Sequence, residues 1–386
     1  MPNTLTLIIP KILAKGLLAL RELCVLPRLV NADYSQDAAK FGATIDVPLP
    51  TSQTAGDVAP SNTPPAPANT APQVVQIPLS NWKKTEFFLT DKDMKDIDRN
   101  QSFYPMQVSE AIRALANKVN GDIFAEYKGV YGYVGTAGTT PFAAVTDATN
   151  LRKQLNKQRC PAGNRRAVLD FDAEANALAL AAFSNFEQTG DMAVKIEGQI
   201  GRKYGIDWYA DNVVPTHNST ALSAGAATVN GAHAAGAGST DGGRTGTVSI
   251  AKATNPSNLV KGDIITFAGD SQTYAVTADV TLAVGNTTVG ITPALQSAKA
   301  GGEAMTLKAT HVVNLGFHRD AFAFANRPVA DVEFKGGNEI MQMTDPATGI
   351  SLALEVSRQY KQTVWEFSIL YGVKLVRPEL AVRLAG

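Results

Sequence analysis

The chain has 386 residues, of which 45% are apolar and 18% are charged. Its length allows two or three folded units, and its charged share lies below the roughly 25% usual for soluble domains. Its 35 basic residues balance 35 acidic ones. No global field therefore draws it onto nucleic acid, and self-repulsion does not oppose close packing of copies.

Residues 6–30 are rich in Leu, Ile and Val, but Lys11, Lys15, Arg21 and Glu22 interrupt them. No run of about 18 apolar residues is left for a membrane span. The charges fall inside the stretch and Pro27-Arg28 follows, which is not the layout of a signal peptide. The pattern predicts an amphipathic helix with Ile12, Leu13, Gly16, Leu17, Leu20 and Leu23 on one face. Its basic residues form a solvated face. Cys24 and Cys160 sit far apart and in no metal-type spacing, which points to a reducing compartment.

Residues 43–48 and 74–79 alternate like strands. The Pro/Ala/Thr-rich stretch between them cannot form a core, and Pro48 and Pro78 exclude a central sheet position. The segment reads as a long two-stranded arm. Two strands alone are marginal in water, so the arm needs a surface to lie on, either a neighbouring copy or its own domain. The strand continues through Thr85 to Leu89. The acidic stretch Asp91 to Asn100 lacks the Gly and terminal Glu of a calcium loop. It reads as a solvated segment before a helix.

Tyr104 to Tyr127 carries Val108, Ile112, Leu115, Val119 and Ile123 at helical spacing. Gly121 inside that helix hints at a bend or a close approach. A helix over Asp147 to Arg159 with Thr146 as cap follows, then a buried strand at Arg166 to Leu169. Next come an Ala-rich helix capped by Asp172 and a strand from Ile206 to Val214. Composition shifts at Pro215. Beyond an Ala/Gly/Ser/Thr stretch, short strands are predicted at residues 247–251, 263–267, 274–277, 288–291 and 305–309. Turn residues separate them, giving a small inserted β-barrel or sandwich that is expected to fold alone. After residue 310, Asp320 is placed as the cap of a helix over Ala321 to Asn326. Residues 340–344, 350–360 and 364–376 read as strands, with a Pro-early, Gly-late turn at Asp345 to Gly349.

A search for chemistry finds no phosphate loop, dinucleotide fingerprint or nucleophile elbow. His217, His233, His311 and His318 have no zinc-type spacing. His318-Arg319-Asp320 reads as a structural turn. Asn218-Ser219-Thr220 and Asn286-Thr287-Thr288 match the glycosylation pattern by chance. No catalytic residue, metal ligand or cofactor is expected.

Several segments together resemble the major capsid (coat) proteins of tailed bacteriophages, in the branch with an inserted β-barrel domain. They are Glu110 to Val119, Gly201 to Tyr209 with Asn212 to His217, Val260 to Asp263 with Phe267 to Gly269, Asn314 to Ala323, and Tyr371 to Lys374 with Arg377 to Glu379. The Pro/Ala-rich arm tip departs from the family pattern.

The resemblance implies an α+β fold with these parts: an N-terminal arm (1–40), an extended β-arm loop (41–90) and a peripheral domain with a spine helix (91–135). An axial domain (136–217), the inserted barrel (218–310), an axial return (311–330) and peripheral long strands with the C-terminal segment (331–386) follow. It also implies hexamers and pentamers in an icosahedral shell around packaged DNA, formed in the host cytoplasm with a scaffolding protein, a portal and a decoration protein as partners, and no membrane. Inter-subunit contacts are expected at Leu13 and Leu17 on the N-terminal helix. They are also expected at Asp46, Trp82, Lys83, Lys84 and Glu86 on the arm, and at Glu110 and Arg113 on the long helix. Lys83 and Lys84 occupy a position where some members cross-link, but no cross-link is predicted. The competing readings are an exported β-rich surface protein and a hydrolase with an unrecognised site.

Overall fold

The computed structural model describes residues 13, 16, 20, 25–34, 44–49, 57, 58, 60, 62, 73–92, 103–184, 200–239, 241–328, 339–344 and 350–386. Leu17, Cys24, most of the arm tip, residues 93–100 of the acidic stretch and the turn at 345–349 lie outside them.

Leu13, Gly16 and Leu20 are helical and buried, at the i, i+3, i+7 spacing of one helix face. Gly16 sits so close to the body that an added Cβ would come within 2.7 Å of Ile112 Cδ1 and 3.7 Å of Leu352 Cδ2. A turn at Leu26–Leu29 follows, with Pro27 in its first turn, where the missing N–H costs little.

Strands β1 (Thr44–Leu49) and β2 (Gln73–Pro78) pair antiparallel, from Thr44 opposite Pro78 to Leu49 opposite Gln73. A two-stranded ribbon has only edge strands, so both prolines are tolerated. The ribbon's apolar face does not wait for a neighbour. Ile45, Val47, Leu49, Ile77 and Leu79 pack on the chain's own Ala323, Ala325 and Val376. Of the two surfaces left open for the arm, its base takes the chain's own domain.

Strand β3 (Asn81–Thr90) leads to helix α1 (Phe103–Ala125), 23 residues long, or about 35 Å at about 1.5 Å per residue. Ile112, Leu115, Ala116, Val119 and Ile123 are buried. Each of these side chains other than Ala116 contributes about 1.5–3 kcal/mol relative to exposure. Gly121 lies 3.4 Å (as a notional Cβ) from Val213, so it marks a close approach. A 3-10 turn, Glu126–Gly129, ends the helix.

The helix packs against a five-stranded antiparallel sheet. In chain order that sheet contains β3, Phe322–Arg327, Glu339–Thr344, Ser351–Gln359 and the long strand Gln362–Leu375. Tyr371 donates its hydroxyl to Asp122 at 2.6 Å, and Glu126 accepts the Leu375 N–H at 3.0 Å. These bonds fix the helix on the sheet.

A second sheet of seven strands runs Gly132–Gly135, Ala381–Ala385, His311–His318, Arg165–Leu169, Ile206–Ala210 and Gly201–Lys203, with Thr216–His217 paired to the start of His311–His318. Two helices, Thr146–Lys157 and Phe171–Ala179, accompany it. Between His217 and His311 lies a separate core. A six-stranded sheet orders Met305–Leu307, Ile264–Phe267, Tyr274–Val276, Gly285–Thr292, Gly246–Lys252 and Ala227–Val229. A bridge between Thr228 and Ala304 joins its two edges, so the sheet closes on itself and leaves no free edge. Val248, Ile250, Phe267, Val276, Val289 and Ile291 fill its interior.

Four local expectations are corrected. Ala321 to Asn326 is not a helix: one 3-10 turn, Arg319–Ala321, leads straight into the strand Phe322–Arg327. Pairing with residues 370–375 and burial of both Phe rings override the helical look of the alanines. The turn is capped by His318, whose Nδ1 accepts the Asp320 N–H at 3.2 Å, rather than by Asp320. Thr146 and Asp172 lie inside their helices, which begin after Val145 and Asp170 without side-chain caps. The strand expected from Ile206 to Val214 stops at Ala210.

Candidate functional site

Strand β3 builds the first candidate surface. Period-2 alternation sends Lys83, Thr85, Phe87 and Leu89 inward, where Phe87 stacks parallel to Trp365 with centroids 6.4 Å apart. The same alternation sends Trp82, Lys84, Glu86 and Phe88 outward. Trp82 is 63% and Phe88 61% exposed. They lie about 20 Å apart at about 3.3 Å per residue. Between them Lys84 pairs with Glu86 at 2.8 Å and with Glu366 of the adjacent strand at 3.1 Å. Those bonds raise the Lys84 amine above its ordinary pKa. The face thus carries two exposed aromatics separated by a charged centre.

The other expected contact residues divide. Asp46 is exposed on the outer face of β1. Glu110 and Arg113 are exposed one turn apart on α1, 3.8 Å from each other. Leu13 is fully buried in the chain's own core, so its side chain is not available to a neighbour. Leu17 lies outside the described residues.

A second constellation escaped the sequence reading. Thr216–His217 and the start of His311–His318 pair side by side, so the two ends of the inserted segment meet. His217 Nε2 bonds Asp263 Oδ1 at 2.8 Å, and its Nδ1 meets the Tyr127 hydroxyl at 2.9 Å. Asp263 also accepts the Val260 N–H at 2.7 Å. Arg383 is fully buried. It donates to Gly262 O at 2.8 Å and Lys128 O at 3.3 Å, and its guanidinium stands 5.0 Å over the Tyr127 ring. Burial pushes Arg383 down to about 10 and His311 down to about 4.

The signal for this constellation was the near-symmetric placement of His217 and His311 about the insertion. No spacing rule links either of them to Arg383. The His217–Asp263 pair has the residue types of a proton relay. Its side chains are 3% and 0% exposed, so no substrate reaches it here. Its chemistry is to hold a buried cation and two imidazoles between the closed sheet and the body.

Among the described residues no helix is long and apolar enough to cross a membrane. No group of three or more His, Cys, Asp or Glu among them is arranged for a metal ion.

No protein-family model and no curated protein matches the sequence. Solved structures do match. A chain of Mycobacterium phage Che8 is 14% identical and superposes with a TM-score of 0.51, over 93% of this chain and 90% of that one. A chain of Mycobacterium phage Ogopogo is 9% identical with a TM-score of 0.49, over 93% and 90%. A capsid structure of the cyanophage P-SCSP1u is 12% identical with a TM-score of 0.48, over 92% and 84%. The chain therefore has a sheet-rich α+β fold that it shares with the Che8 phage chain.

Proposed function

We propose that this chain is a major capsid protein that self-assembles as hexamers and pentamers into an icosahedral shell enclosing phage DNA. The fold shared end to end with the Che8 phage chain carries the reading. On this reading α1 is the spine helix of a peripheral domain, the seven-stranded sheet belongs to an axial domain, and the closed six-stranded sheet is the inserted barrel. The outward face of β3 is a contact surface between copies, because exposed large aromatics such as Trp82 and Phe88 gain most when a partner covers them. Many such weak, repeated contacts give a strong shell through effective concentration.

The role is structural rather than enzymatic, in the virion, with assembly in the host cytoplasm. Scaffolding, portal and decoration proteins and packaged DNA are the partners the reading implies. No covalent cross-link is proposed. The Lys84 ammonium, held by two carboxylates, is a poor nucleophile while protonated.

The test is size exclusion followed by negative-stain microscopy on the full chain, alone and co-expressed with the proteins encoded beside it. Closed particles tens of nanometres across are expected. A monomer under every condition overturns the reading.

A further inference from the structure

We propose that the cleft between the body and the closed six-stranded sheet binds a phosphate-type oxyanion. The cleft is a cavity of about 250 Å³ at the end of α1. Lys128 and Lys374 enter it from the body, and Arg244 and Lys261 from the inserted segment. Glu126 is the one carboxylate in its lining. Four cations against one anion stand out in a chain whose total charge is zero.

That carboxylate is already engaged, since Glu126 Oε2 accepts the Leu375 N–H at 3.0 Å. Two further acids beside these cations are engaged as well. Asp241 accepts from the Thr245 N–H at 2.9 Å and the Thr245 hydroxyl at 2.7 Å, and Asp279 accepts the Lys261 N–H at 2.6 Å. Among the described residues, none of Lys128, Lys261 and Lys374 forms an ion pair with a carboxylate. Arg244 is anchored by a bond to Val376 O at 2.6 Å.

Cations held together without counter-charge repel, and a bound oxyanion turns that repulsion into attraction. Lysine ammoniums bind phosphate as point charges, and Thr277 in the same lining adds an uncharged hydroxyl; those of Thr245 and Thr292 already donate to Asp241 and to Arg244 O. A second cavity of about 310 Å³ shares Arg244 and Lys374, adds the carboxylate of Asp241 and extends to Val74 and Gln76 of β2, so the larger surplus of cations lies in the first cavity. Because its cations come equally from body and insertion, the ligand ties the two together. Free phosphate and the phosphodiester of a nucleic acid carry the same chemistry.

The experiment uses the full chain as soluble subunits, so it does not depend on shell formation. Inorganic phosphate, chloride at matched ionic strength, and a short single-stranded oligodeoxynucleotide are each titrated by calorimetry and thermal shift. Wild type is expected to bind phosphate saturably with a raised Tm. The Lys261→Gln/Lys374→Gln double variant should bind at least tenfold more weakly, and Lys153→Gln, on a distant helix, as wild type does. If the double variant does not fold, the single Lys261→Gln change should still weaken binding about three- to tenfold. Tighter binding of the oligonucleotide than of phosphate assigns the site to a nucleic-acid backbone. Phosphate binding without oligonucleotide binding assigns it to the free ion. Equal Tm shifts with chloride and phosphate, or undiminished binding by the folded lysine variants, overturn the proposal.

Discussion

His217 and His311 face each other with ring centroids 5.5 Å apart, one at each end of the inserted segment. Everything between them leaves and returns through this one pair of strands, and the buried Asp263 and Arg383 stand beside it. The junction is a buried cluster of polar and charged side chains. A buried charge with half its partners removed is among the costliest defects a fold can carry.

The first prediction concerns that charge. Asp263→Asn removes the anion that His217 bonds and the nearby negative charge that favours the buried Arg383 cation, leaving it only carbonyl and ring partners. The cost should be about 3–5 kcal/mol in denaturant unfolding. Adding Arg383→Met should recover part of it, because the uncompensated cation is then gone. A double variant no more stable than Asp263→Asn alone shows that the two residues are not coupled.

The second concerns acid. Burial holds His311 down to about 4 from an ordinary 6.5, so the folded state keeps it neutral while the unfolded chain takes up a proton. The stability this gives is complete above pH 6.5 and is lost as pH falls toward 4. Arg383, His217 and Asp263 are the charged or titrating groups around it. Between pH 7 and pH 5, wild type should lose about 2 kcal/mol more than His311→Asn. Parallel curves for the two proteins would remove His311 from the account.

The third concerns the β3 face. Trp82→Ser with Phe88→Ser touches outward side chains, so unfolding free energy should stay within about 0.5 kcal/mol of wild type. Particle yield by microscopy should fall at least several-fold. Normal yield from the double variant means that this face is not covered in the shell.

The fourth concerns the insertion. Residues 218–310 carry their own buried cluster in a sheet without free edges, so the fragment should give dispersed amide signals by NMR. Collapsed signals would mean that the body, through Arg383 and Tyr127, completes its core.

The parts of the fold that were legible in the sequence were those whose contacts are periodic. The long helix shows itself through Ile112, Leu115, Val119 and Ile123, and the terminal strands through alternation about Trp365 and Phe367. The strands of the insertion show themselves through short apolar runs between turns. Phe322 to Asn326 was misread because its partners, residues 371–375, are far along the chain and decide its state. The polar junction was illegible for the same reason: Arg383 meets Gly262 across 121 positions, and no local pattern encodes that meeting. The outward face of β3 was found only as scattered contact residues. That Phe88 stands with Trp82 on one side follows from strand parity, which becomes useful once the inward side is known.

Gly262 has φ +96°, and a Cβ there would come within 3.1 Å of Lys128 Cα, Cβ and Cγ. With Arg383 gripping the Gly262 carbonyl from below, the inserted unit is seated on the trunk of the molecule with no clearance at that point. That contact opposes rotation of the inserted unit about its two connecting strands. A twist applied to unit or trunk is passed to the other as though they were a single lever.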